Sequence, residues 1–163
     1  MKATRAGAMG AIAVATALLA TALSSAQAFA GEFKAAVTAP DDNRWRAECG
    51  SCHLAYPPRL LPARSWSAIV DGLDEHFGSD VSLDAPTASA IRAFLTNNAG
   101  RDTSPSASPV LRITQTRRFV HEHREIAANV WRREKVGSVA NCAACHANAE
   151  SGNFSEHDVR IPR

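Results

Sequence analysis

Methionine is almost missing from this sequence, and over most of its length neither sign of charge is in excess. Its 163 residues include two methionines, Met1 and Met9. Residues 1–30 contain two basic side chains and no acidic one, whereas residues 31–163 contain 16 basic and 16 acidic side chains. This balance argues against a nucleic-acid-binding protein, which would carry a basic patch or stripe. Because methionine supplies a soft thioether ligand to some metal centres, a metal site beyond residue 30 has to use other side chains.

The first 30 residues have the pattern of a secretory signal peptide. Lys2 and Arg5 precede an apolar run over residues 6–23, and small residues with an A-x-A cleavage site at 28–30 follow. A membrane anchor is the alternative, because the run reaches the length of about 18 residues at which spanning is considered. Its alanine-rich composition and the cleavage site favour removal. The sequence therefore predicts a periplasmic protein that begins at Gly31.

Apolar residues recur at helical spacing in several segments, and no segment alternates convincingly as a strand would. Proline and glycine residues fall at the ends of these segments, where they stop helices. The pattern predicts an all-α fold. The predicted helices cover residues 43–53, 63–77, 84–98, 115–131 and 138–151.

A segment rich in serine and proline, residues 101–109, divides the exported chain. It predicts a linker between an N-terminal domain, residues 31–100, and a smaller C-terminal domain, residues 110–163. Residues 31–100 carry a net charge of −3 and residues 101–163 a net charge of +3. Most of this asymmetry is what an ordinary solvated surface gives. The alternative is a dipolar molecule whose field steers its partners.

All four cysteines of the sequence fall in two identical C-x-x-C-H motifs. This is the attachment sequence of a c-type haem, in which two thiols add to the porphyrin vinyl groups and the adjacent histidine binds the iron. The sequence predicts two covalently bound haem c groups, with the two motif histidines as proximal ligands. The residues concerned are Cys49, Cys52, His53, Cys142, Cys145 and His146.

Three other interpretations of the cysteines are weaker. A disulfide framework suits an exported protein with an even number of cysteines, but it does not require a histidine after each second cysteine. A thioredoxin-like redox motif needs a βαβ context, which the pattern lacks. A zinc site of cysteine and histidine ligands does not explain why the same five-residue layout occurs twice.

The ligand on the other side of each iron has to come from the remaining histidines, because residues 31–163 contain no methionine. Four are available: His76, His121, His123 and His157. Ligation of each iron by two histidines is the simplest solution, and it implies a lower reduction potential than histidine–methionine ligation would give.

His76 is the candidate in the first half of the chain. It follows the apolar residues Ile69 and Leu73 at helical spacing, so it belongs to the apolar face of the predicted helix. A histidine in such a place is usually a hydrogen-bonded core residue. Since a haem without a second ligand is predicted in the same half, we favour His76 as an iron ligand.

Two neighbouring histidines compete in the second half. His123 shares an apolar stripe with the residues at 119, 126 and 130, whereas His121 is turned about 200° around the same predicted helix. His157 lies among polar residues near the C-terminus. This pattern ranks His123 first as the second distal ligand and His121 second.

The segment around the first motif resembles a family signature. Residues 48–66 read ECGSCHLAYPPRLLPARSW, and His76-Phe77-Gly78, HRE at 123–125 and ANCAACH at 140–146 follow in order. These segments resemble the small periplasmic dihaem cytochromes c, which are redox partners of the oxygen-binding monohaem cytochrome called sphaeroides haem protein. The resemblance covers nearly all of residues 31–163.

The resemblance implies a cytochrome-c-like first domain, a smaller second haem domain, and ligation of both irons by two histidines through His76 and His123. It also implies electron transfer between a membrane cytochrome b and the soluble monohaem cytochrome. We therefore expect an electron carrier that is not an enzyme and has no small-molecule or nucleic-acid partner. A haem enzyme or gas-binding protein, such as a small peroxidase with one open iron position, is the alternative.

Overall fold

The computed structural model describes residues 42–163, and all of these residues fall in one compact unit. The predicted signal peptide and the predicted start at Gly31 lie outside the described residues. Within residues 42–163 there are helices and isolated bridges but no strand, which confirms the all-α prediction. No helix in this part of the chain combines the length and hydrophobicity needed to cross a bilayer. The α-helices are α1 (Asn43–Cys49), α2 (Ala63–Asp71), α3 (Ala85–Asn97), α4 (Arg117–Glu122) and α5 (Ala128–Trp131).

Helix α1 is short because its ends are fixed by local hydrogen bonds. The Asp42 carboxylate accepts hydrogen bonds from the backbone N–H groups of Arg44 and Trp45 at 2.9 and 3.0 Å, as an N-cap residue does. At the other end, Gly50 approaches the carbonyl oxygen of Arg46 so closely that a Cβ atom would clash with it. The sequence pattern predicts a helix that runs to residue 53. It ends at Cys49 instead, and the rest of the first C-x-x-C-H motif lies in the following turn.

Helices α2 and α3 pack against each other and form most of the core. Asp84 caps α3 through a 3.0 Å hydrogen bond from the Thr87 N–H, close to the predicted start. Helix α2 ends at Asp71 and is followed by a 3₁₀ turn at Leu73–Glu75, so the single helix predicted over 63–77 is too long. The buried apolar residues of this core are Trp45, Ala55, Leu61, Trp66, Val70, Ile91 and Leu95.

The second half of the chain has little regular structure. The single helix predicted over 115–131 is broken into α4 and α5, since the chain turns at residues 123–125. The helix predicted over 138–151 is wrong: 3₁₀ turns at Cys142–Ala144 and Ala149–Ser151 take its place. Only Val136 and Ala149 are buried apolar residues in this half. A helix without an apolar partner to pack against has little to stabilise it.

Several contacts join the two halves. Ile113 packs against the core of the first half. Arg64 forms an ion pair with Asp102 and donates a 2.9 Å hydrogen bond to the carbonyl of Ala107, which fastens residues 101–109 to α2. The division into domains at 31–100, 101–109 and 110–163 remains a prediction.

Candidate haem-binding sites

The first C-x-x-C-H motif begins at the end of α1. Cys49 is its last residue, and Cys52 and His53 lie in the turn that follows. Burial, assisted by the nearby Glu48 carboxylate, raises the pKa of the Cys49 thiol to about 11. Because a thioether does not ionise, haem attachment would remove this titration. No disulfide joins any of the four cysteines, which suits haem attachment and not a disulfide framework.

His53 and His76 face each other across the first site. Their ring centres lie 6.3 Å apart and their planes differ by 22°. The Nδ1 atom of His53 lies 2.8 Å from the carbonyl oxygen of Leu54, and since a carbonyl only accepts, Nδ1 is the donor. Its Nε2 lone pair is therefore available for a metal ion. Burial lowers the pKa of His76, and the neighbouring His53 and Arg112 charges lower it further, so its neutral form is favoured.

A tight turn, and not a helix face, directs His76 towards His53. Phe77 and Gly78 both have positive φ angles, 53° and 98°, and the Ser79 N–H donates a 3.1 Å hydrogen bond back to the His76 carbonyl. A positive φ is uncommon for a residue with a side chain, and such conformations concentrate at functional sites. The guanidinium of Arg112 lies 4.1 Å from the centre of the Phe77 ring, which links this turn to the second half of the chain.

The second C-x-x-C-H motif is built on a 3₁₀ turn. Cys142 opens the turn, and the His146 N–H donates a 2.8 Å hydrogen bond to its carbonyl. The Cys145 carbonyl accepts a 2.9 Å hydrogen bond from the Arg160 N–H, so the C-terminal segment holds the motif in place. Burial raises the pKa values of both thiols. The Nδ1 atom of His146 is buried and has no hydrogen-bond partner.

His123 faces His146 across the second site. Their ring centres lie 6.2 Å apart, with planes that differ by 69°. The Nδ1 atom of His123 donates a 2.9 Å hydrogen bond to the carbonyl of Phe119, and the Phe119 ring stacks on the imidazole at 4.0 Å. Trp131 lies beside it at 5.9 Å. Burial lowers the pKa of His146, and the charged form of His123 lowers it further.

The two other histidines of the second half lie elsewhere. His121 is exposed, and both its carbonyl and its ring lie 3.1 Å from the guanidinium of Arg124. His157 is exposed in a 3₁₀ turn near the C-terminus. Of the candidates, the structure brings together His53 with His76 and His146 with His123. Their assignment as iron ligands stays a prediction.

Both histidine pairs have the spacing that one metal ion between two imidazoles requires. Each metal–nitrogen bond is about 2 Å and each nitrogen lies about 1.1 Å from its ring centre, so the centres should be ~6 Å apart. A zinc site needs three or four protein ligands. Among residues 42–163, no three histidine, cysteine or carboxylate side chains converge on one point in this way. A porphyrin would supply the four remaining ligands. Open cavities lie beside parts of both attachment motifs, one of them lined by Cys52 and His53 and the other also by Cys142.

Aromatic side chains that contact the histidine rings were not singled out as site residues by the sequence patterns. Tyr56 stacks on His53 at 4.9 Å, and Phe154 lies 5.2 Å from His146. Tyr56 follows His53 by three residues and Phe119 precedes His123 by four, so proximity in sequence is the one available signal. Phe154 has no such signal, since its contact depends on the fold of the C-terminal segment.

Two C-x-x-C-H motifs, each with its histidine facing a second histidine, define a c-type cytochrome. The sequence profile of the family described as "Dihaem cytochrome c" matches residues 45–154. The chain therefore belongs to the dihaem cytochrome c family and carries two covalently bound haem c groups. Electron transfer is the activity that membership of this family implies.

Solved structures agree with this family. A dihaem cytochrome c from Shewanella baltica is 40% identical, with a TM-score of 0.66, over 76% of this chain and 94% of that chain. A dihaem cytochrome c from Rhodobacter sphaeroides is 39% identical, with a TM-score of 0.62, over 69% of this chain and 96% of that chain. A second structure of a dihaem cytochrome c from Rhodobacter sphaeroides is 42% identical, with a TM-score of 0.62, over 71% and 98% of the two chains. No curated protein matched the chain.

Proposed function

We propose that this protein is a periplasmic electron carrier in which two histidines bind each haem iron. It would pass single electrons between a membrane cytochrome b and a soluble oxygen-binding monohaem cytochrome of the sphaeroides haem protein type. The observation that carries the proposal is the presence of two facing histidine pairs with ring centres 6.3 and 6.2 Å apart. The signal-peptide pattern of residues 1–30 supports export.

The haems supply one-electron exchange between ferric and ferrous iron, and the protein supplies binding and orientation. His53 and His123 each donate Nδ1–H to a backbone carbonyl, which orients the ring and makes the opposite nitrogen a stronger ligand. With an imidazole on both sides of each iron, no position is left for a substrate. This arrangement supports a carrier and argues against an enzyme.

The choice of partners depends on the family resemblance and on the distribution of charge. The described part of the first half is predominantly acidic and the second half predominantly basic. Such an asymmetry can orient a charged partner before contact. Mixing the reduced protein with the oxidised monohaem cytochrome in a stopped-flow instrument should give rapid, salt-dependent electron transfer. A rate that is slow and independent of ionic strength would contradict the proposed partner.

Exposure of the reduced protein to carbon monoxide tests the ligation directly. If both irons hold two imidazoles, the visible spectrum should not change. A shift in half of the haem absorbance would indicate one open iron and would favour a haem enzyme or gas-binding protein. Intact-mass measurement of the exported protein should show a chain that begins at Gly31 with two added haems.

A further inference from the structure

Tyr56 contacts both haem-attachment segments. Its ring stacks on the imidazole of His53, with centres 4.9 Å apart and planes 25° apart. At its other end, its hydroxyl donates a 2.8 Å hydrogen bond to the carbonyl of Ala140, which precedes Cys142 by two residues. One side chain thus touches the proximal ligand of the first haem and the backbone that leads to the second.

The surroundings of Tyr56 suit this double contact. It is the single tyrosine of the sequence and is half-buried. Its hydroxyl is a proton donor at neutral pH, because the ordinary pKa of a tyrosine is about 10. The open cavity between the two motifs is lined by Tyr56 together with residues of both, among them Cys52 and Cys142.

We propose that Tyr56 is a positioning residue for electron exchange between the two haems. Its stacked ring and its hydrogen bond hold the two attachment segments at a fixed separation. They also form a continuous route from the His53 ring, through the phenol and the Ala140 carbonyl, to the backbone of Cys142. The inference rests on the proposed function, because it requires both irons to carry electrons.

The exchange transfers one electron from one haem iron to the other. One iron goes from ferrous to ferric while the other goes from ferric to ferrous, and any one-electron reductant can supply the first electron. No bond forms or breaks and no proton moves. Tyr56 is not oxidised. Its role is to fix the distance between the two haems and to fill the space between their attachment segments. Electronic coupling decays less steeply through contacting atoms than through empty space.

A second contact between the halves provides a matched control. The Arg46 guanidinium donates a 3.3 Å hydrogen bond to the Glu150 carbonyl, so it also connects α1 with the second half. The guanidinium of Arg46 also lies 5.5 Å from the centre of the Trp45 ring, and its hydrogen bond ends on Glu150 and not on the Ala140 carbonyl that Tyr56 uses. Arg46→Gln therefore removes a contact between the halves and leaves the proposed route intact.

The experiment compares Tyr56→Phe, Tyr56→Leu and Arg46→Gln with the wild-type dihaem protein. Exchange NMR on half-reduced samples resolves the methyl signals of each haem and gives the inter-haem rate, and dilution removes any intermolecular part. We expect a several-fold lower rate for Tyr56→Phe, a larger loss for Tyr56→Leu, and the wild-type rate for Arg46→Gln. Haem content and low-spin spectra should be unchanged in Tyr56→Phe.

Three results would overturn the inference. The first is a wild-type rate in Tyr56→Phe, whatever the rate in Tyr56→Leu. The second is an equal loss in Tyr56→Phe and Arg46→Gln. The third is an equal loss in Tyr56→Leu and Arg46→Gln. If Tyr56→Phe fails to assemble, Tyr56→Leu and Arg46→Gln still decide, since equal rates in those two would also overturn it. High-spin iron in the wild type would instead contradict the proposed function, so the two failures are distinguishable.

Discussion

The two haem-binding halves reach the same histidine spacing by different means. In the first half, seven buried apolar residues form a core beside the site. They belong to α1, α2, α3 and the segment that joins α1 to α2. In the second half, only Val136 and Ala149 are buried apolar residues. The ring planes also differ: 22° between His53 and His76, and 69° between His123 and His146.

We infer from this comparison that the haem takes the place of a polypeptide core in the second half. A segment of about 50 residues is near the lower limit at which a polypeptide core is sufficient by itself. A porphyrin offers a large apolar surface, and its burial contributes roughly 25 cal/mol per Å². The first half has a polypeptide core of its own, whereas the second half would depend on its haem for most of its apolar contacts.

The largest expected effect is loss of the second half's structure without its haem. Cys142→Ala/Cys145→Ala should leave residues 110–163 disordered, because their apolar surface then has nothing to cover it. The first half should remain folded. Limited proteolysis with mass spectrometry checks this, and Cys49→Ala/Cys52→Ala is the matched control, since the first half retains its core. Native-like protection of residues 110–163 in the first variant would contradict the comparison.

The next largest effect concerns the distal ligand of the second haem. His123→Ala should convert half of the total haem to a high-spin, carbon-monoxide-binding form, because no other imidazole faces His146 among the described residues. His121→Ala, its matched control, should leave the visible spectrum unchanged, since His121 is exposed and lies against Arg124. Opening of the haem by His121→Ala alone would reverse the assignment.

The difference in ring planes predicts two distinct ferric signals in electron paramagnetic resonance. Parallel imidazoles split the two iron d orbitals that overlap with the ligand π systems, whereas crossed imidazoles leave them nearly equal in energy. We expect an ordinary rhombic low-spin signal from the first haem and a strongly anisotropic one from the second. The strongly anisotropic signal should disappear in His123→Ala and persist in His76→Ala. Two identical rhombic signals would contradict the difference in ring planes between the two histidine pairs.

The smallest expected effect is the acid sensitivity of the contact between α2 and residues 101–109. The Arg64 guanidinium holds the pKa of Asp102 below its ordinary value, with help from the Ser104 N–H. A lowered folded-state pKa stabilises the protein above the ordinary carboxyl pKa of about 4, and this stabilisation is lost as the pH falls through the folded-state pKa. Asp102→Asn should therefore lower the melting temperature slightly at pH 7, with a difference that shrinks as the pH falls below about 4. Asp74→Asn, at an exposed aspartate of a 3₁₀ turn, is the control. If the melting temperatures of Asp102→Asn and the wild type differed by the same amount at all pH values, the ion pair would be excluded as the cause.

Local patterns made several features predictable from the sequence. Haem attachment follows from adjacent residues in each C-x-x-C-H motif, and α3 follows from Asp84, Pro86 and the apolar residues after them. Helix ends were predicted less well, as in α1 and α2, because caps and close approaches such as that of Gly50 to Arg46 decide them. The helix predicted over 138–151 is wrong, and among residues 110–163 only Val136 and Ala149 are buried apolar residues that could stabilise it.

Residue identity and short-range spacing are enough to predict the class of fold, the two haem attachments and the exclusion of methionine as a ligand beyond residue 30. Which histidines meet depends on the tertiary structure. His76 faces His53 through a turn with positive φ angles, and His123 faces His146 from the end of α4. The contact of Tyr56 with Ala140 joins residues 84 positions apart. Such contacts arise from where helices stop and how the chain returns on itself, which depends on packing between distant segments and not on any local pattern.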